Sequence, residues 1–126
     1  MEEIFNIEPR GDHINVHIGI AAEGDDEHWQ AEYWRQLQVA CKEHDTCRVL
    51  VEGHSPKVEL TSEEVVEAGQ RTATVPHLWM AFCLEGWEPT AQSELYEAVA
   101  ASRGVRVKFF TDREQALNWL RTNAPK

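Results

Sequence analysis

The chain is short of basic residues, of paired cysteines and of glycine-rich loops, and each shortage removes a class of function. Twelve Lys and Arg stand against twenty-two Asp and Glu, a net charge of −10. The resulting field repels nucleic acid and anionic lipid, so neither is expected as a partner. Apolar runs such as Val75 to Leu84 fall far below the roughly 20 residues that cross a bilayer. The acidic start Met1-Glu2-Glu3 has no basic-then-apolar leader pattern. No membrane insertion is expected, and the expected location is the cytoplasm. Cys41, Cys47 and Cys83 are odd in number and form no C-x-x-C pair, which reads as reduced, core-packed thiols rather than a redox or zinc site. There is no G-x-S-x-G elbow, no G-x-x-x-x-G-K-S/T loop and no G-x-G-x-x-G turn, so no cofactor is expected and no catalytic constellation stands out.

What the chain does have is ordinary globular composition, 42% apolar and 27% charged, without repeats, low-complexity tracts or Pro/Gly/Ser linkers. Residues 1–126 therefore read as a single domain. Ile4 to Ile7 and Ile14 to Ile20 are strand-like and flank Pro9-Arg10-Gly11-Asp12, which predicts an antiparallel hairpin. Trp29, Tyr33, Leu37, Ala40 and Cys41 recur at helical spacing from Asp26 to about Glu43, with Asp25 as cap. Strands follow at 47–52, 78–83 and 105–110. Helices follow at Thr61, with Glu64 completing a capping box, and at Thr90, with Leu95, Ala98 and Val99 inward and Gly104 as stop. The last helix opens at Thr111-Asp112-Arg113-Glu114, read as a second capping box, with Ala116, Leu117 and Leu120 as its stripe.

This order, ββαβαβαβα, predicts a mixed five-stranded α/β sheet: an N-terminal hairpin, then sequential right-handed βα units with helices mainly on one face. Alternation in most strands agrees, since Ile14, Val16 and Ile18 alternate with Asn15 and His17, and Val105, Val107 and Phe109 with Arg106 and Lys108. The second sheet face is expected to be partly wet. It would carry Leu50, Trp79, Ala81 and Phe110 beside His17, Arg48, Glu52, Arg106 and Lys108, an apolar centre with a charged rim. Such a face needs a cover, and a second copy of the chain or a protein partner is expected to supply it.

The closing stretch, from Val107-Lys108-Phe109-Phe110 through Asp112 to Ala116-Leu117-Asn118-Trp119-Leu120, together with the element order, resembles the SpoIIAA-like, STAS-type family. The likeness in element order spans nearly the whole chain; the likeness in sequence is confined to that last segment. The resemblance implies the SpoIIAA-like fold and a non-catalytic module that binds partner proteins or small ligands. Anti-anti-sigma members are phosphorylated at the start of the second helix, in an Asp-Ser-Ser/Thr-Gly turn. The comparable stretch here, Leu60-Thr61-Ser62-Glu63-Glu64, keeps the hydroxyls and lacks that Asp and Gly.

Thr61 and Ser62 are thus the phosphoacceptor candidates, although capping alone accounts for Thr61 and the adjacent Glu63 and Glu64 oppose a phosphate. His13 and His17, four apart, would stand roughly 13 Å apart along a strand and cannot share a metal. Asp25-Asp26-Glu27-His28 point in different directions at a helix start and complement its dipole. Among five tryptophans, Trp79 lies on the wet face and Trp87 in a Gly/Pro loop at a strand's carboxyl end, where α/β sheets bind ligands. A carrier for a small apolar or lipid-like ligand, with Trp87 in its loop, is the alternative to the interaction module.

Overall fold

The structure, a computed structural model, describes residues 5–18, 28–54, 61–75, 77–86, 88 and 90–124, with backbone only at 28–31 and 54. The elements are β1 (Phe5–Pro9), β2 (Ile14–Ile18), α1 (His28–Glu43), β3 (Arg48–His54), α2 (Ser62–Thr72), β4 (Trp79–Glu85), α3 (Ala91–Ser102), β5 (Arg106–Phe110) and α4 (Arg113–Asn123). They form one five-stranded sheet in the order β1-β2-β3-β4-β5. The β1–β2 pair is antiparallel and the other three are parallel. The hairpin turns at residues 10–13, where Arg10 N–H donates to the His13 carbonyl at 2.9 Å. Asp25, expected to cap α1, lies outside the described residues. No described helix is long and apolar enough to cross a membrane.

Local chemistry sets the helix starts. Thr61 caps α2 and Thr90 caps α3, each in a reciprocal capping box, with Glu64 and Ser93 at the third helical position. The expected box at Thr111 is displaced by one residue. Asp112 is the cap of α4, and its carboxylate accepts from Glu114 N–H at 2.9 Å. Asp reaches the second free N–H of the helix directly and needs no partner at the third position.

Period-two alternation gives the sheet two distinct faces. On the first, Ile14, Val16, Val49, Val51, Met80 and Val107 are buried with Tyr33, Leu37 and Cys41 of α1 and Ala100 of α3. Helix α3 differs from the sequence reading: Ala98 is exposed, and Ser93 and Ala100 are its buried residues. Tyr96, half-buried, donates to or accepts from the Thr72 hydroxyl at 2.6 Å. Burial pushes its phenol up to about 12. The turn of the stripe follows from α2, which packs along α3 at Gly69. A Cβ there would stand 2.5 Å from Val99 Cγ1 and 2.9 Å from Val99 Cβ, so the helices meet at a distance that only glycine permits.

Candidate functional site

The second sheet face is not open. Helix α4 crosses it, lying mainly over β4 and also over β3 and β5. Leu50 and Ala81 are fully buried against Ala116 and Leu120. Trp79 packs on Trp119 with ring centroids 5.4 Å apart, and Phe110 lies 5.9 Å from the same ring. The expected exposed centre Leu50, Trp79, Ala81, Phe110 is therefore a second, smaller core. Of the expected rim, Arg106 and Lys108 are exposed, Lys108 lying 5.7 Å over the Phe110 ring. Arg48 is buried instead, and its Nη2 donates to the Ala124 carbonyl at 3.2 Å. A cation on the last carbonyls of α4 satisfies orphan acceptors and complements the negative end of the helix dipole.

Two ion pairs tie α4 down near its ends. Arg113 Nε donates to Glu52 Oε1 at 2.5 Å at the start of the helix. Arg121 Nε donates to Asp12 Oδ2 at 2.8 Å at its last turn, while Asp12 Oδ1 pairs with Nδ1 of the buried His13 at 2.8 Å. The hydrogen bond with His13 and, next, the one from Arg121 hold the Asp12 carboxyl down at about 2.

What α4 leaves uncovered is the β1–β2 side of this face. Strand register lays its residues in two rows. One runs Asn6, His17, Glu52, Cys83, Phe110 across β1 to β5, and the other runs Glu8, Asn15, Leu50, Ala81, Lys108. The apolar members lie under α4; the polar members line an open depression of about 240 Å3 formed by Asn6, Glu8, Arg10, Asn15, His17 and Glu52. A second depression of about 310 Å3 begins at the same His17 and Glu52 and extends over Cys83, Glu85 and Thr111 at the carboxyl ends of β3 and β4. Together they make one trough bounded by β1 and by the start of α4.

Glu8 accepts from Asn6 Nδ2 at 2.9 Å and from Arg10 Nη2 at 2.5 Å. On the floor, Asn15 is only 7% exposed and its Oδ1 has no donor. At the far end burial raises the Cys83 thiol, Glu52 and Asp112 raise it further, and Arg113 opposes them. The thiol is held in its protonated form. His17 is two strands away along the register row, roughly 10 Å at ordinary strand spacing, too far to take its proton. Among the described residues no three His, Cys, Asp or Glu side chains converge as a metal would need. Through its described residues the trough can therefore exchange hydrogen bonds, and its one described thiol is not an activated nucleophile.

Thr61 and Ser62 are exposed at the start of α2 and are not among the residues that line the trough. The Thr61 hydroxyl accepts from Glu64 N–H at 3.2 Å and the Glu64 carboxylate accepts from Thr61 N–H at 3.0 Å, so the cap occupies the candidate phosphoacceptor. Trp87 lies outside the described residues. Asn6, Glu8, Arg10 and Asn15 were not legible as site residues, because nothing local to them reports which strand becomes their neighbour. No protein-family model, curated protein or solved structure matches the chain.

Proposed function

We propose that the chain is a binding module of the SpoIIAA-like, STAS type, which works in a reducing compartment, the cytoplasm, by engaging a protein partner and without covalent chemistry. The observation that carries this reading is the pairing of a covered apolar face with an uncovered polar trough. Monomeric domains bury large apolar patches, and what they leave open and shaped is where recognition occurs. Self-association through Leu50, Trp79, Ala81 and Phe110 loses its ground, because α4 already covers these residues. The protein therefore meets its partner through the trough. Free Cys41, Cys47 and Cys83 support a reducing compartment.

Site-resolved alkylation tests the absence of chemistry. Cys83 should react with iodoacetamide at pH 7 more slowly than free cysteine, since its thiol is raised and half-buried. Alkylation faster than free cysteine would mean an activated thiolate and would place the trough among nucleophilic sites.

A further inference from the structure

We infer that one internal water molecule is bound between His13, Asn15 and Arg48, joining β2 to β3 beside the carboxyl end of α4. The inference is independent of the partner proposed above.

Among the described residues, the buried side-chain atoms without a hydrogen-bond partner are His13 Nε2, Asn15 Oδ1 and Arg48 Nε. The three residues are 5, 7 and 8% exposed, so bulk solvent does not serve these atoms. They fall in one corner of the fold. Ile14 pairs with Val49 and Asn15 with Leu50, so Arg48 stands level with His13 on the neighbouring strand. Alternation sets Asn15 and Arg48 on the face opposite the core of Ile14, Val16 and Val49. His13 and Arg48 are also tied to the same residue of α4. Arg121 Nε donates to Asp12, which holds the His13 ring, and Arg48 Nη2 lies 3.5 Å from the Arg121 carbonyl. Nearly all buried polar groups in folded chains find a partner, and three orphans at adjacent positions point to a shared one.

The chemistry of the three atoms selects it. Asp12 is a carboxylate, its carboxyl being held down at about 2, and it only accepts. Its 2.8 Å contact therefore places the hydrogen of the neutral His13 ring on Nδ1 and leaves Nε2 an acceptor. Asn15 Oδ1 is a second acceptor, and Arg48 Nε–H is a donor. A water donates twice and accepts once or twice, and interior waters make about three hydrogen bonds. Other occupants fail on one side or the other. An anion has no hydrogen for the two acceptors, a metal ion or an ammonium group cannot accept from Arg48, and an apolar group does neither. The spacing agrees as well. Neighbouring strands lie about 4.8 Å apart, wider than one hydrogen bond and close to the span of two that share an oxygen. Bound there, the water adds a bond to the guanidinium whose Nη2 holds the Ala124 carbonyl, so the site belongs to the seating of α4.

Nuclear magnetic resonance on the unaltered, isotope-labelled chain at about pH 8, above the ordinary imidazole range, tests the inference. Arg48 Hε should show a dipolar cross-peak to the water signal, with the sign of a molecule that tumbles with the protein. Arg113 Hε, half-exposed at the other end of α4, should show exchange with bulk solvent instead. Long-range proton–nitrogen correlation should place the His13 hydrogen on Nδ1. No variant has to fold for this reading. An Arg48 Hε signal without a water cross-peak, its loss to exchange with bulk solvent, or a hydrogen on His13 Nε2 would overturn the inference. So would a scalar coupling across a direct hydrogen bond from Arg48 Nε to His13 or Asn15.

Discussion

Leu120→Ala is the perturbation that most sharply reads how α4 is seated. Leu120 is fully buried, in a cluster with Leu50 and Ala81 of the sheet and Ala116 of its own helix. Truncation removes the transfer free energy of the lost carbons and leaves a cavity, and fully buried Leu→Ala changes cost about 2.7–5.0 kcal/mol according to how far the site collapses. Two of the three neighbours are alanines, which have no side-chain length with which to fill the space. Against that, the larger side chains of Trp79, Leu117 and Trp119 pack against the same cluster and can shift into part of the space. The expected loss is about 3 kcal/mol, near the lower end of the range. In a domain of this size that lowers the melting temperature by roughly 10 °C. Urea denaturation followed by far-ultraviolet circular dichroism measures it, with the fluorescence of the Trp79–Trp119 pair as a local probe. Leu117→Ala, half-buried, should cost about half as much. A loss below about 1 kcal/mol at Leu120, or a larger loss at Leu117, would refute the packing of α4 described above.

Thr61→Ala should cost about 1 kcal/mol through the lost cap while Ser62→Ala leaves thermal stability nearly unchanged; the reverse order would return Ser62 to candidacy as a regulatory hydroxyl. Asp12 carries a pH dependence whose sign is fixed by its lowered pKa. Its contribution is fully present above the ordinary carboxyl value of 3.8 and is lost as pH falls through about 2. The carboxylate is partly exposed, so the contribution stays below about 1 kcal/mol. Acid unfolding of the unaltered chain beside Asp12→Asn should show a constant gap above pH 5 that closes between pH 4 and 2. A gap that widens on acidification would contradict the Asp12–His13–Arg121 assignment.

Element order was legible because the signals are local: the capping residues Thr61 and Thr90, the turn at Gly11, and alternation along β2 and β5. The side taken by α4 was not. Crossover chirality constrains a helix that joins two parallel strands, and among the described elements α4 joins no two strands, so the rule does not choose its face. The clue was present in Leu50, Ala81 and Phe110, three apolar residues on adjacent strands of the supposedly wet face, and they read equally well as an interface. Register was the other missing quantity. His17 and Glu52 become neighbours only when β2 and β3 pair, and Asn15 becomes the floor of a trough only when α4 stops short of β2. Those facts are set by long-range packing, which no window of sequence contains. The same packing moved Arg48 from the expected rim to the buried carboxyl end of α4.

The central claim is that the chain closes its own second sheet face with α4 and keeps only the polar trough for a partner. Light scattering on the purified, unaltered chain over a range of concentrations tests it most directly. The account predicts a particle of 14.4 kDa, the mass of one chain, at every dilute concentration and the same mass for Trp79→Glu wherever that variant remains folded. A particle of twice that mass, converted to the single-chain mass by Trp79→Glu with the circular dichroism spectrum unchanged, would show that the apolar face pairs with a second copy and would contradict the account.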